Sequence, residues 1–342
     1  MGITKPSTTR ILFEHEREMN RLLSGLLLFA SLSFAICVSS GESSAQTKQL
    51  RLGVLMTHGE DVAIWFPAFL RVLHNHGWVE GQNVVFEYRS GHSDPLQIAR
   101  GASELVQDNV DVMLAIGPPA VRAAYESTQS IPIVAHDLET DPVAAGYAES
   151  YGHPGRNLTG MFLDTPELAT KLLQFLRDIV PGLSRVVVLV DPSSGPALLL
   201  AIKRIAPSAG IQLQIVEVHT AQDIRRAALE FSGQPQALVV LPSPLMFVQS
   251  PALARLAYKQ RLPAISIFQR FVGAGGLLAY GTAGAEDQFA ILTAKVLSGT
   301  KPADLPIERP SRFTLHVNLK TAMAIGLTIP QSILLQADEV IR

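Results

Sequence analysis

The chain has 342 residues, with 28 Lys and Arg against 30 Asp and Glu, a net charge of −2, and 47% hydrophobic side chains. Nucleic acid and anionic membranes demand a concentrated basic face, and this balance excludes both as expected partners. Cys37 is the only cysteine and precedes residue 46, so the remainder has no disulfide, no cysteine metal site and no thiol nucleophile.

At the N-terminus, Met19-Asn20-Arg21 leads into an uncharged run over 22–38 rich in Leu, Phe and Ala, followed by small residues that include Ser43-Ser44-Ala45. This profile predicts a secretory signal peptide over 1–45, cleaved after Ala45, with Met19 as an alternative start. Ile36 precedes Cys37 where lipoprotein processing requires a small residue, so lipidation is not expected. Export to the periplasm follows. The segment before Gln46 carries equal numbers of acidic and basic side chains, which leaves the charge of the mature chain at −2. Beyond Gln46 no stretch approaches the roughly 20 uninterrupted apolar residues of a membrane span. The mature length suits two domains of about 100 to 200 residues each.

From Gln49 onward, short runs of Val, Ile and Leu alternate with longer amphipathic segments, the pattern of parallel sheets with crossover helices. The first series predicts strands at 50–56, 83–88, 110–116 and 131–135, with helices at 62–76, 95–107 and 120–127. Near-continuous apolar strands fit a sheet covered on both faces. The stretch 141–165 interrupts this rhythm with Pro142, Gly146, Gly152, Pro154, Gly155 and Gly160, and a lobe boundary is placed after Thr159. The second series predicts strands at 185–190, 212–218, 237–241 and 264–268, and helices at 167–180, 197–205, 221–231 and 252–260. The chain continues through an apolar segment at 276–281, a helix at 286–297, a proline-marked crossing at 302–310, a strand at 314–318 and a helix at 319–326. The expected fold is α/β, two Rossmann-like lobes with parallel sheets joined by a multi-crossing hinge. The expected lobes are 46–159 with about 270–305, and 160–269 with about 306–342.

Ligands of open α/β sheets bind beyond the carboxyl ends of the strands, so candidate residues are sought there. Thr57 and His58 follow the first strand, where they either meet a ligand or cap the next helix. Gly117-Pro118-Pro119 follow the third strand, and the two prolines remove two N–H donors while giving a rigid apolar wall. Asp137 and Asp141 follow the fourth strand; a ligand ammonium would want one of them, Asp141 being favoured, against the alternative of a plain turn former. Asp191, Ser193 and Ser194, then Ser243 and Phe268, end strands of the second series. Phe268 or Tyr280 would stack on an aromatic or apolar ligand, unless each is simply core. No G-x-S-x-G elbow, no phosphate loop and no His-Glu-x-x-His is present, and His74 and His76 diverge on their helix, so no catalytic residue, metal site or cofactor is expected.

With these residues in view, the chain resembles the ABC transporter substrate-binding protein family, whose better-understood members take up tryptophan, tyrosine or phenylalanine. The likeness covers the chain from about Leu50 to Ile341, and its carriers are Gly77-Trp78-Val79-Glu80-Gly81-Gln82-Asn83, Pro154-Gly155-Arg156-Asn157-Leu158-Thr159-Gly160, Lys301-Pro302-Ala303-Asp304-Leu305-Pro306 and Ala337-Asp338-Glu339-Val340-Ile341. It implies a type I periplasmic-binding-protein fold with three interlobe crossings and an amino acid or similar solute in the cleft. It also implies an ABC permease with a cytoplasmic ATPase as partner, and a monomer is expected. Relatives tend to carry Gly-Thr-Pro or Gly-Gly-Thr where Gly117-Pro118-Pro119 stands here, and Asn-Pro-Asn where Asp191-Pro192-Ser193 stands. Other classes considered are a sensory module for a membrane receptor and a secreted enzyme.

Overall fold

The computed structural model describes residues 49–342 apart from 59–61, 93, 139, 163–164 and 195. The expected signal peptide, its cleavage site and Cys37 lie outside the described residues.

Strand β1 (Leu50–Met56) pairs in parallel with β2 (Val84–Ser90) on one side and β3 (Val112–Ile116) on the other. Strands β4 (Ile133–Asp137) and β5 (Leu158–Phe162) complete a five-stranded sheet ordered β2-β1-β3-β4-β5. Every residue of β3 and β5 is buried, as expected of a parallel sheet covered on both faces. Helices α1 (Val62–Asn75), α2 (Pro95–Gln107) and α3 (Pro118–Ser127) make the crossovers. Asp94 caps α2 by accepting a hydrogen bond from Leu96 N at 2.9 Å, and Pro95 occupies the first turn, where a missing N–H costs nothing.

Helix α4 (Thr165–Ile179) opens the second series and packs on its core through Leu168, Leu172 and Leu176. Strand β6 (Arg185–Val190), α5 (Ala197–Ile205), β7 (Gln212–Glu217), α6 (Ala221–Arg226) and β8 (Ala237–Val240) follow. Then come α7 (Pro244–Val248), α8 (Ser250–Lys259), β9 (Ala264–Ser266), α9 (Gln269–Gly273) and β10 (Leu278–Thr282). After α10 (Ala285–Leu297), the chain ends with β11 (Phe313–Asn318), α11 (Leu319–Ile325), α12 (Gln331–Leu334) and β12 (Glu339–Ile341). The seven-stranded sheet is ordered β12-β11-β10-β9-β8-β6-β7, and only β10 and β11 run antiparallel.

The crossings differ from the sequence expectation. Strand β5 belongs to the first sheet, so the first crossing follows Phe162 instead of Thr159. Strand β10, expected in the first lobe, lies in the second sheet, and the return to the first lobe is made by α10, whose Phe289, Ala290 and Leu297 join the core around β1. Residues 305–308 stay with β5: Thr159 Oγ1 donates to Leu305 O at 3.0 Å and Phe162 N to Glu308 O at 3.0 Å. The final crossing comes after Glu308. A glycine-rich run conceals β5 because Gly160 reads as a breaker, yet glycine is required there: a Cβ at Gly160 would sit 2.2 Å from Ala135 O on β4.

The same close approach recurs at Gly281 in β10, where a Cβ would fall 1.8 Å from Ile267 O. Gly281→Ala must push β9 and β10 apart and is expected to lower stability by about 3 kcal/mol in urea unfolding. Gly273→Ala adds a methyl that meets nothing within 4 Å and should change stability by less than about 0.5 kcal/mol. Equal effects would show that this strand spacing is not the limiting contact.

Candidate functional site

A cavity of about 420 Å³ opens between the ends of the two sheets, a size that suits a small organic solute. The first lobe supplies Trp65 from α1, Ile116 and Gly117 from the end of β3, and His136 and Leu138 from the end of β4. The second lobe supplies Ser243, Pro244 and Phe247 at α7, then Ile267, Phe268, Gln269 and Arg270 leading into α9. The crossing from β10 to α10 closes one side with Thr282, Ala283, Gly284, Glu286 and Phe289.

Aromatic rings dominate the walls. In the first lobe Phe289 meets Trp65 edge-on at 6.2 Å and His136 at 5.2 Å, and Trp65 also packs on Phe69 at 5.4 Å. In the second, Phe247 and Phe268 form an edge-to-face pair at 5.1 Å. Edge-to-face packing of this kind holds the rings rigid, so their faces are preorganised for contact. At Gly117 the lobes come into close contact. Its φ of 86° belongs to the glycine region, and a Cβ there would stand 2.8 Å from both Pro244 Cγ and Thr57 Oγ1.

Polar groups on the walls are few. Trp65 Nε1 and His136 Nε2 are buried with no hydrogen-bond partner. Burial removes the His136 ring from water and lowers its pKa; the neighbouring Glu286 carboxylate pulls upward and offsets this only in part, so the ring is neutral. Gln269 Nε2 donates to Thr314 Oγ1 at 3.0 Å, Thr314 Oγ1 lies 3.1 Å from His316 Nε2, and His316 Nδ1 lies 2.7 Å from Glu339 Oε2. This chain ties a cavity residue to the edge strand β12.

Of the sequence candidates, Gly117, Ser243 and Phe268 line the cavity. Pro118 and Pro119 are buried in the first turn of α3, behind Gly117. Thr57 is fully buried and its hydroxyl donates to Ile116 O at 3.1 Å, so it pins β1 to β3. His58 is half-buried after β1 and is not part of the wall. Asp137 is fully buried, with Oδ1 accepting from Thr140 N at 2.9 Å, and exposed Asp141 accepts from Val143 N at 2.9 Å and Ala144 N at 3.1 Å. Both serve turns. Asp191 accepts from Ser193 N at 2.9 Å and Ser193 Oγ at 2.7 Å, which closes another turn, and Ser194 stays off the wall with its hydroxyl buried. Tyr280 stacks on Phe313 at 5.6 Å and meets Phe175 at 5.0 Å inside the second lobe. Sequence reasoning missed Trp65, Phe247, Arg270, Glu286 and Phe289. A signal existed for Trp65, an aromatic in the first turns after a strand end, and for Glu286, at the start of a helix that crosses lobes.

A family model described as ABC transporter substrate binding protein matches residues 66–341. The chain belongs to this family. A tyrosine-binding protein of Clostridioides difficile is 24% identical to this substrate binding protein over 265 residues, 76% of this chain and 75% of that one. A domain from Streptococcus pneumonia in complex with L-Trp superposes with a TM-score of 0.77 at 22% identity, covering 86% of this chain and all of the other. A conserved domain protein from Vibrio cholerae gives the same TM-score at 23% identity over 86% of this chain and 99% of its own. The two-lobed architecture is that of type I periplasmic binding proteins. Among the described residues of this substrate binding protein, no helix is long and apolar enough to cross a membrane.

Two outcomes follow from the geometry. His136 is neutral when folded but takes up a proton near pH 6.5 when unfolded, so its contribution to stability is complete above that pH and is lost as pH falls below it, at no more than about 1.4 kcal/mol per pH unit. Thermal unfolding of His136→Gln between pH 7 and 5 should show a flatter pH dependence than the parent; an unchanged slope would place the acid sensitivity elsewhere. Gly117→Ala introduces strain and a methyl against Pro244, so small-angle scattering should report a larger radius of gyration. An unaltered scattering profile would mean that the lobes absorb the methyl without separating.

Proposed function

We propose that this chain is the exported, periplasmic solute-binding component of an ABC importer. Its lobes close as a monomer on a small amphipathic solute, an amino acid or related aromatic compound, and the closed form delivers it to a membrane permease powered by a cytoplasmic ATPase. The observation that carries this reading is the interlobe cavity of about 420 Å³, with aromatic walls contributed by both lobes and by a crossing segment. Hinge closure around a ligand is the usual motion of such a shape. The names of the relatives, one tyrosine-binding and one in complex with L-Trp, point to the same solute class. Capture without chemistry is supported by the wall itself: Ser243 Oγ accepts from Met246 N at 3.0 Å and, among the described residues, His136 Nε2 has no partner, so this serine and this imidazole do not form a nucleophile–base pair.

Isothermal calorimetry of the purified protein across the amino acids is the direct test. At least one apolar or aromatic member should bind with micromolar or tighter affinity and be recovered chemically unchanged. Trp65→Ala removes a rigid wall and is expected to weaken that ligand by at least about tenfold, the effect of losing an aromatic anchor of roughly 1.5 to 3 kcal/mol. Conversion of the bound compound, or full affinity in the Trp65 variant, would count against capture in this cleft.

A further inference from the structure

Donors and acceptors are unevenly divided around the cleft. The turn at the end of β3 offers an anion nothing: Gly117 N–H is spent on His136 O at 2.9 Å, and Pro118 and Pro119 have no N–H. Thr57 is equally committed, donating to Ile116 O from its backbone at 3.2 Å and from its hydroxyl at 3.1 Å. What remains for an anion on the wall is neutral donors, the Ser243 and Thr282 hydroxyls and the unpartnered Trp65 Nε1–H, together with Arg270, whose exposed position at the rim leaves its attraction screened by water.

The charged acceptor sits further in than the charged donor. Glu286 is half-buried on the wall and its carboxylate makes no ion pair or hydrogen bond among the described residues. His136 beside it is neutral and does not cancel that charge. The Gln269 amide presents its oxygen for a reason found outside the cleft. Glu339 can only accept, so His316 donates from Nδ1, and in the neutral ring Nε2 then accepts. Thr314 therefore donates to His316 and accepts from Gln269 Nε2, which leaves Gln269 Oε1 as the free end. Around these acceptors stand the faces of Trp65, Phe247, Phe268 and Phe289, which attract a cation through their ring quadrupoles.

Resting on solute capture in this cleft, we propose that the site reads its ligand through an ammonium group set among aromatic faces, with Glu286 as counter-ion, and that an α-carboxylate on the ligand is dispensable. Primary arylalkylamines are then ligands alongside the aromatic amino acids. Gln269 is an accepting wall residue, and Thr314 and His316 position it.

The test is calorimetry of the purified protein with tryptamine, tyramine and phenethylamine, each against its parent tryptophan, tyrosine or phenylalanine and the N-acetyl form of that parent. Each amine is expected to bind within about tenfold of its parent, and the N-acetyl compounds not at all. Glu286→Gln should weaken both series about 30-fold or more, as expected for a desolvated charge pair. Arg270→Gln should change the ratio between amino acid and amine by no more than about fivefold, the reach of an exposed pair. Amines more than about tenfold weaker than their parents, or N-acetyl compounds that bind, overturn the ammonium assignment and leave solute capture standing. Absence of binding by both series overturns the ammonium assignment, and solute capture falls with it only when the wider amino-acid screen also finds no ligand. The unmodified protein decides among these outcomes even where a variant fails to melt cooperatively.

Discussion

The packing of Phe289 is the contact on which the two-lobed arrangement turns. Its ring is 1% exposed and meets Trp65, Phe69 and His136, so α10 is locked into the core of the first lobe. Yet α10 is reached directly from β10, a strand of the second sheet, through only Ala283 and Gly284. A helix fixed to one lobe and tethered by two residues to the other leaves little freedom for sliding. Ala283 N also donates to Arg312 O at 3.0 Å, which ties the second crossing to the third. These tethers favour rotation about the crossings over sliding, the hinge geometry on which the proposed capture relies. The same ring forms part of the cavity wall, so the residue that anchors the hinge also meets whatever occupies the cleft.

That coupling explains why the cavity can be preorganised. Trp65 and Phe289 are held edge-on by one another, and Phe247 and Phe268 by one another, so little side-chain entropy remains to be lost on binding. Charged groups on such a wall are unfavourable unless they are matched. Glu286 escapes part of that penalty because it lies near the start of α10, where the helix dipole favours a negative charge.

Much of the fold was legible in the residues. Continuous Val and Leu runs such as Arg185-Val186-Val187-Val188-Leu189-Val190 give strands whose bounds match the structure, because a fully buried parallel strand admits no polar alternation. Helix 95–107 was equally plain, having Asp94 as a cap and Pro95 in its first turn. Strand β5 was hidden since its close contact with β4 demands Gly160, which reads as a turn. The five-residue helices α7 and α9 are too short to show a period, and with them Phe247 and Arg270 went unseen. The site was harder still. A search of strand ends finds Gly117, Ser243 and Phe268, but seven of the seventeen wall residues lie on helices, where Trp65 and Phe289 look like ordinary core. The carboxylates at strand ends, Asp137, Asp141 and Asp191, proved to be turn formers because a short acidic side chain folds back on its own backbone N–H groups more readily than it waits for a ligand.

The pair of prolines after Gly117 links these points. A turn with free N–H groups would have to be kept hydrated while the cleft is open and would lose that water on closing, a penalty that an anionic ligand must repay. Pro118 and Pro119 remove the groups and the penalty together, and they stiffen the backbone at the place where Gly117 approaches Pro244. Contact between the lobes there is apolar and small, so it adds little affinity of one lobe for the other. In the proposed capture, closure would then draw its free energy from the occupant of the cavity, and the fraction of closed molecules would rise only as far as that occupant prefers the closed form to the open one.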